Sequence, residues 1–342
     1  MPARSVALVV IARNEAPRIA RLLDSVRAHV DAMLVLDTGS TDGTPEIARA
    51  AGARVEHFRW CDDFAAARNR ALDLAAADWH LVLDADEWLE EGGEALAALR
   101  QLTPDFIGVL QMDDKFEGGS AHQWLSRVLP GNVRYIGRVH EQPAHQLPLK
   151  RLDIRVGHDG YLGERLTAKR GRNRVLLQAM LQDSPQDAYA WYQLGKDFAV
   201  YDEAAKAEGA WEHAARLVQG APNWWFDLVA RRLFGLKQLK LHDAAITFAE
   251  GQLGACAESP DFFFALGDLL LDLAADEPQR ADDLLPMIEQ AWRRCMELGE
   301  HPEQAGAVAG RGSYLAAHNL ALVLAGTGRT DEAQALRATY SL

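Results

Sequence analysis

Two aspartates one residue apart, Asp84 and Asp86, follow directly after an apolar run that begins at Trp79. Where a strand gives way to a loop, the alternation of its side chains relaxes, so both carboxylates can turn toward one divalent cation. A cation held in this way would serve chemistry on a phosphate-bearing substrate. Asp-x-Asp also occurs by chance, and a solvated loop is the alternative interpretation.

Two further polar clusters follow earlier apolar runs, Ala12-Arg13-Asn14-Glu15 and the segment from Asp37 to Thr44. Taken alone, the first cluster is better explained as turn and cap chemistry. In the second, Asp37 could accept hydrogen bonds from a base or a ribose. The chain has neither the P-loop spacing nor a Gly-x-Gly-x-x-Gly motif before a helix, so few backbone donors face a phosphate. A bound diphosphate would therefore need a cation, which Asp84 and Asp86 could hold.

The elements that must position these residues alternate in type, which predicts a parallel sheet flanked by helices. The expected strands are residues 6–11, 33–36, 54–57 and 79–83, and the expected helices are 18–28, 45–51 and 64–77. Thr44 is expected to cap the second helix. More irregular strand candidates follow at 106–111, 124–129 and 152–156. Because ligands of open α/β sheets bind at the carboxyl ends of strands, the polar clusters should share one edge.

The second half of the chain is helical and repetitive. The pattern aromatic-x-x-Leu-small occurs at 191–195, 225–229 and 263–267, with a weaker copy at 317–321. The step from Leu194 to Leu228 is 34 residues, which is the tetratricopeptide period. Such helix pairs stack into a curved array whose concave side binds a peptide or another protomer. An ordinary all-helical domain is the alternative.

The composition limits the class of protein. A length of 342 residues favours two domains, which we place at residues 1–170 and 171–342. Acidic residues outnumber basic ones by 49 to 36, and the net charge of -13 argues against nucleic acid or an anionic membrane as a partner. The 3 cysteines lack metal-ligand spacing, and no apolar stretch approaches the roughly 20 residues of a spanning helix. We therefore expect a cytoplasmic protein without a transmembrane segment.

Four motifs in order carry a specific resemblance. They are Val9-Val10-Ile11-Ala12-Arg13-Asn14-Glu15, Leu36 to Thr44, Phe64-Ala65-Ala66-Ala67-Arg68-Asn69 and Leu83-Asp84-Ala85-Asp86-Glu87. Together they resemble the GT-A glycosyltransferases of the large inverting family two, whose fold is a Rossmann-like mixed sheet. With tetratricopeptide-like repeats behind that domain, the chain is similar to bacteriocin peptide glycosyltransferases of the sublancin S-glycosyltransferase type. Lipopolysaccharide-core β-glucosyltransferases share Val139-His140-Glu141 and His158-x-Gly-Tyr161.

The resemblance implies roles for residues at matching positions. It places Arg13, Asp37 and Arg68 around the nucleotide of a nucleotide-sugar donor, and we place Glu15 with them. It also implies that Asp84 lies by the ribose and the metal and that Asp86 ligates Mg²⁺ or Mn²⁺. For Arg68 the alternative is an exposed arginine near the start of a helix.

Three later residues complete the predicted site. An inverting transfer needs a carboxylate or an imidazole to take the acceptor's proton, and Glu141 is our candidate, with His140 as its rival. Both could instead be hydrogen-bonded loop residues. His158 ends an alternating apolar strand and points inward, as a core histidine or, as the resemblance implies, a further metal ligand. A basic run from Arg165 to Arg174 is either a solvated helix face or a lid or hinge that helps hold the diphosphate or an acidic acceptor.

These features predict a metal-dependent inverting glycosyltransferase that uses a nucleotide sugar, expected to be a UDP-sugar. The acceptor is expected to be a peptide or protein, because the repeats can present one or pair two protomers into a homodimer. A lipopolysaccharide-core or lipid-linked glycan is the alternative acceptor. The alternative of another class is a tetratricopeptide scaffold that binds a sugar nucleotide without turning it over.

Overall fold

A computed structural model describes residues 3–116, 119–158 and 171–341. The chain divides into two compact units, Met1–Met180 and Leu181–Leu342. The boundary predicted at residue 170 falls ten residues before this division. Tyr161 and part of the basic run, Arg165, Lys169 and Arg170, lie outside the described residues.

The first part of the N-terminal unit has the alternating order predicted from the sequence. Its elements are β1 (Val6–Ala12), α1 (Ile19–Val26), β2 (Ala32–Asp37), α2 (Thr44–Ala50), β3 (Arg54–His57), α3 (Phe64–Ala75) and β4 (Trp79–Val82). These four strands lie side by side in the order β3-β2-β1-β4, and every neighbouring pair is parallel. Their carboxyl ends therefore share one edge of the sheet.

The rest of the sheet is mixed. It contains β5 (Glu87–Glu91), β6 (Ile107–Phe116), β7 (Gly119–Pro130) and β10 (Leu149–His158), with α4 (Gly93–Ala98) after β5 and a separate ribbon of β8 (Arg134–Ile136) and β9 (Gln142–Ala144). The full order is β3-β2-β1-β4-β7-β6-β10-β5, and β7 runs antiparallel to both of its neighbours. This mixed sheet confirms the predicted α/β class. The sequence analysis did not predict β5, β8 or β9.

Both faces of the sheet are covered because apolar residues point alternately to either side of each strand. On one face, the stripe of α1 packs against β1 side chains such as Leu8 and Val10. All four residues of that stripe, Ile19, Leu22, Leu23 and Val26, are fully buried. On the opposite face, Val9 packs in a second core with Leu72 of α3. The strands are thus fixed between helices, and the polar strand ends remain at the edge.

The helical part consists of consecutive helix pairs. Its elements are α5 (Arg172–Asp183), α6 (Ala188–Val200), α7 (Ala204–Leu217), α8 (Trp225–Gln238), α9 (His242–Gln252), α10 (Pro260–Asp276), α11 (Ala281–Leu298), α12 (Tyr314–Gly326) and α13 (Thr330–Tyr340). The four copies of the predicted pattern lie in α6, α8, α10 and α12. Each of these helices is followed by a second helix, which confirms the predicted repeat architecture.

The small residue of the repeated pattern has a packing role. An added Cβ at Gly195 in α6 would lie 2.2 Å from Nε1 of Trp211 in α7. At the matching position of α10, a Cβ on Gly267 would lie 2.5 Å from Nε1 of Trp292 in α11. Both indoles are buried. The glycine of the first helix therefore makes room for a tryptophan of the second.

Alanine at two glycines of one helix pair should change stability in opposite directions. Gly195→Ala forces a methyl group into the buried Trp211 indole, and overpacking of this kind costs about 1–3 kcal/mol. Gly209→Ala in α7 is the matched control, because no atom of the described residues lies within 4 Å of its Cβ position. It should stabilise by about 0.5–1 kcal/mol, since alanine is the better helix former. Hydrogen exchange of the α6 and α7 amides measures the change in stability of each variant. Changes of the same sign in both variants would contradict the packing role.

Candidate functional site

The loops after β1 and β2 form one structure at the carboxyl edge of the sheet. The backbone N–H of Asn14 donates to Ser40 Oγ over 2.9 Å, and that of Thr41 donates to Asn14 Oδ1 over 2.8 Å. Asn14 has a φ of 58°, a conformation that asparagine tolerates better than most residues. The two polar clusters predicted separately from the sequence are therefore a single hydrogen-bonded surface.

Asp37 is the buried carboxylate of this surface. It is 4% exposed and accepts hydrogen bonds from the backbone of Ser40 at 3.1 Å and of Gly39 at 3.3 Å. Nδ1 of His57 lies 3.2 Å from Oδ2 of Asp37. Burial raises the pKa of Asp37, but the hydrogen bonds from Ser40, His57 and Gly39 outweigh it and lower that pKa below its usual value. The carboxylate is therefore an anion at neutral pH.

Positive charge lies beside these loops. Arg13 is exposed after β1, and Glu15 faces Arg18 with 3.7 Å between Oε2 and Nη1. Arg172, at the start of α5, has its guanidinium carbon 5.2 Å from the centre of the Phe64 ring. Burial and the charge of nearby Arg13 lower the pKa of Arg172. Two arginines close enough to repel each other favour an anionic group near this edge.

The Asp-x-Asp motif forms a tight turn between β4 and β5. The N–H of Glu87 donates to the carbonyl oxygen of Asp84 over 3.0 Å, and the N–H of Asp84 donates to Glu87 Oε2 over 2.8 Å. Asp86 lies within this turn and is 9% exposed. The turn fixes both aspartates at the sheet edge, as the relaxed alternation at a strand end predicts.

Below the turn lies an ion cluster of five side chains: Arg68, Asp84, Glu87, Arg127 and Glu141. Arg68 donates from Nη2 to Asp84 Oδ1 over 2.6 Å and from Nε to Glu141 Oε1 over 2.5 Å. Nη2 of Arg127 donates to Asp84 Oδ2 over 3.1 Å and to Glu87 Oε1 over 2.5 Å. Both oxygens of Asp84 are thus engaged by arginines.

Four members of the ion cluster have side chains that are at most 13% exposed, whereas the side chain of Asp84 is 36% exposed. Burial raises the pKa of Asp84, yet the charges of Arg68 and Arg127 outweigh it and hold that pKa far below its usual value. The pKa of Glu87 shifts in the opposite direction. Burial and the charge of Asp84 raise this pKa to about 7, although the charge of Arg127 lowers it. Charged groups that have lost water need partners of this kind.

The ion cluster retains donors that nothing engages within the described residues. Nη1 of Arg68, Nε of Arg127 and the hydroxyl of Tyr135 are buried there without a hydrogen-bond partner. Tyr135 lies beside Arg68, whose guanidinium carbon is 5.5 Å from the centre of its ring. Burial raises the pKa of the Tyr135 hydroxyl, which therefore stays a donor at neutral pH. Each of these groups is a donor that lacks an acceptor among the described residues.

Asp86 and His158 are the pair whose geometry suits a divalent cation. Nε2 of His158 lies 3.7 Å from Oδ2 of Asp86, beyond hydrogen-bonding distance, and an octahedral ion with bonds of about 2.1 Å would draw the two atoms to roughly 3 Å. The register explains the meeting, because β10 pairs His158 with Glu87, the residue after Asp86. Carboxylates suit Mg²⁺ and Mn²⁺, and imidazole is a ligand of transition-metal ions. Asp84 lies beside them but faces the arginines.

The structure therefore brings most of the predicted site together. Arg68, Asp84 and Glu141 meet in the ion cluster, and the alternative of an exposed Arg68 is wrong, since it is 6% exposed. His140 is half-buried with a φ of 53° and is not a member of the cluster.

Sequence reasoning missed two members of the ion cluster, Glu87 and Arg127. The signal for Arg127 is a charged side chain inside the apolar run Trp124–Leu129, since a buried charge requires a partner. Glu87 directly follows the Asp-x-Asp motif and is 3% exposed.

A known protein family matches the segment of the chain that contains this site. Residues 7–141 match the family model of glycosyl transferase family 2. This range contains the Asp-x-Asp turn and all five members of the ion cluster. The predicted resemblance to family two is confirmed for this part of the chain.

Curated relatives extend the match into the repeats. A TPR repeat-containing protein of Synechococcus elongatus is 36% identical over 237 residues, which are 64% of this chain and 57% of the relative. The glycosyltransferase SunS of Bacillus subtilis is 27% identical over 211 residues, 58% of this chain and 50% of that protein. The chain thus spans about half the length of the curated relatives it matches.

Solved structures are similar over parts of the chain. Glucosyl-3-phosphoglycerate synthase of Mycobacterium tuberculosis, in complex with Mn²⁺, UDP and phosphoglyceric acid, is 24% identical with a TM-score of 0.28, over 33% of this chain and 44% of that one. MamA of Desulfovibrio magneticus is 16% identical with a TM-score of 0.39, over 52% of this chain and 88% of its own. Within the described residues, no helix is long and apolar enough to span a membrane.

Proposed function

We propose that this chain is a metal-dependent inverting glycosyltransferase that moves a sugar from a nucleotide sugar, expected to be a UDP-sugar, to a peptide or protein. The observation that carries the proposal is the Asp84–Glu87 turn above a buried ion cluster, inside the segment that matches glycosyl transferase family 2. A solvated loop would not need two buried arginines behind it.

In this proposal the nucleotide lies along the edge formed by the loops after β1 and β2. Asp37 accepts hydrogen bonds from the base, and Arg13 with Glu15 borders the same surface. Arg13 and Arg172 supply positive charge toward the diphosphate. Arg68 holds Asp84 and Glu141 in place, and its Nη1 has no hydrogen-bond partner among the described residues.

Asp86 and His158 would hold Mg²⁺ or Mn²⁺, with Asp84 alongside. When bound, the ion would neutralise negative charge on the departing diphosphate. The protein fixes the positions of the two ligands. The turn orients Asp86, and the β10–β5 register places His158 next to it. Arg127 holds the second oxygen of Asp84 and so keeps that carboxylate ionised beside them.

Glu141 is the proposed base that takes the acceptor's proton. Arg68 engages its Oε1, so Oε2 is the oxygen that would receive the proton. Its side chain is 10% exposed. His140 remains the rival candidate.

The helix pairs are proposed to present the acceptor, since stacked pairs form an extended surface suited to a peptide. The same surface could pair two protomers into a homodimer. The same chemistry on a lipopolysaccharide-core or lipid-linked glycan is the alternative. A scaffold that only binds a sugar nucleotide is disfavoured, because the acidic pair of the Asp-x-Asp turn is retained.

Nucleotide release from a panel of sugar nucleotides tests the proposal. The full-length protein is incubated with each donor and Mn²⁺ or Mg²⁺, with and without a chelator, and the free nucleotide is measured. We expect metal-dependent release with at least one donor and none after chelation. The absence of release with every donor would refute the enzyme, whereas release that survives chelation would refute the metal dependence alone.

A further inference from the structure

Four side chains meet between α9 and α10 in the helical unit; we name them the His242 cluster. Its members are Lys240, His242, Asp272 and Asp276. Nε2 of His242 lies 3.7 Å from Asp276 Oδ2 and 4.0 Å from Asp272 Oδ2. Nζ of Lys240 lies 2.9 Å from each of the same two oxygens. The carboxylate oxygens of Asp272 and Asp276 thus contact the Lys240 ammonium group. The imidazole nitrogen of His242 lies near the same two oxygens.

The distances around His242 suit coordination better than hydrogen bonding. Hydrogen bonds to nitrogen span about 2.7–3.2 Å, whereas neighbouring ligands of a tetrahedral ion, each about 2.05 Å from it, lie about 3.4 Å apart. Ligand atoms of His242, Asp272 and Asp276 all lie within 4.8 Å of one another. A small inward rotation of the side chains would bring them onto one ion. The same 3.7 Å spacing separates Asp86 and His158 in the candidate metal pair of the other unit.

The burial of His242 gives independent support for a metal site. The side chain of His242 is 10% exposed, and among the described residues its buried Nε2 makes no hydrogen bond. A buried ring nitrogen that points at two carboxylates without bonding to either lacks a partner that a cation would supply.

The position in the helix also calls for positive charge. Asp272 and Asp276 lie near the carboxyl end of α10, where the helix dipole disfavours anions. Lys240 now compensates them, but its side chain is 55% exposed and its stem is flexible, so it can leave. A divalent ion at the same point would bring twice the charge.

We propose that His242, Asp272 and Asp276 bind a divalent transition-metal ion, with Zn²⁺ as the best match, in place of the Lys240 ammonium group. One nitrogen and two carboxylate oxygens form a ligand set that Zn²⁺ accepts, with water completing the coordination. The ion would connect the second helix of one pair, α9, to the first helix of the next, α10. Its role would be structural, and it does not depend on the proposed transferase activity.

Zinc titration of the full-length protein tests the site. The parent for this test carries Asp86→Asn, which disables the proposed metal site of the N-terminal unit. We expect calorimetry to find one Zn²⁺ ion per chain, and Co²⁺ in its place to give the visible absorption of a tetrahedral site. Adding Asp276→Asn should weaken Zn²⁺ binding at least tenfold; its side chain is 44% exposed, so the fold should survive. His242→Gln is the second ligand variant.

Lys240→Met separates a metal site from an ion-pair network. It removes the competing ammonium group and keeps most of the stem, so Zn²⁺ should bind several-fold more tightly than to the parent. In a pure ion-pair network the loss of Lys240 would create no metal affinity. No Zn²⁺ binding in either protein, or equal binding in the parent and both ligand variants, would overturn the proposal.

Discussion

Replacing Arg68 with methionine should lower the free energy of unfolding of the N-terminal unit by about 3–5 kcal/mol. Methionine fills a similar volume but cannot donate hydrogen bonds, so Glu141 loses its partner and Asp84 keeps only Arg127. Breaking a buried ion pair costs this much because the remaining charge stays desolvated. Hydrogen exchange of the α3 and β4 amides in the full-length chain measures the change within this unit.

Arg27→Met is the matched control. Arg27 pairs with Asp24 at the surface, where their side chains are 52% and 65% exposed, so its loss should cost less than about 1 kcal/mol. Adding Glu141→Gln to Arg68→Met should recover part of the lost stability, since the neutral amide tolerates the missing arginine. An Arg68 variant as stable as the Arg27 variant would show that the ion cluster is well solvated.

Asp86→Asn should reduce turnover of the nucleotide sugar at least about 100-fold. Changes in groups that merely support metal ligands cost about 10–100-fold, so loss of a ligand itself should reach the upper end. Asparagine has the same shape, and Asp84 and Glu87 make the hydrogen bonds of the turn, so the fold should be unchanged. The rate of nucleotide release at increasing Mn²⁺ concentration measures turnover, and the melting temperature checks that the fold is unchanged.

Asp105→Asn controls for the removal of one negative charge. Asp105 is exposed in the loop before β6, and its variant should turn over the donor at the parental rate. Activity of the Asp86 variant within a few-fold of the control would mean that other residues hold the metal or that none is needed.

Local patterns were enough to predict much of the fold. The first four strands and three helices followed from apolar periodicity, because each element there buries a full stripe or run. The pattern failed at β5, whose five residues include three glutamates, and at the three-residue strands β8 and β9. Thr44 was expected to cap α2, yet Asp42 Oδ1 accepts from the N–H of Thr44 over 3.0 Å, and the Thr44 hydroxyl accepts from Glu15 over 2.8 Å. Capping choices depend on such neighbouring loops.

The candidate site was predictable where its residues follow strand ends in sequence. Asp37, Asp84 and Asp86 were identified in this way because parallel strands end at one edge. The pairing of Arg68 with Glu141, 73 positions later, depends on how α3 packs against the loop before β9. The approach of His158 to Asp86 depends on the β10–β5 register. Contacts between distant segments have no local pattern, so the Arg68–Glu141 pair was not predicted, and only the resemblance indicated that His158 joins Asp86.

The place of Trp211 has a consequence for how the helical unit melts. Its indole packs against Gly195 of α6 and also lies 3.1 Å from the Cβ position of Gly235 in α8. One side chain is thus shared by two successive helix pairs. In a linear array, stability is the sum of each pair and of the interfaces between neighbours. A shared tryptophan strengthens that interface term, so the pairs α6–α7 and α8–α9 should unfold cooperatively, as one thermodynamic unit.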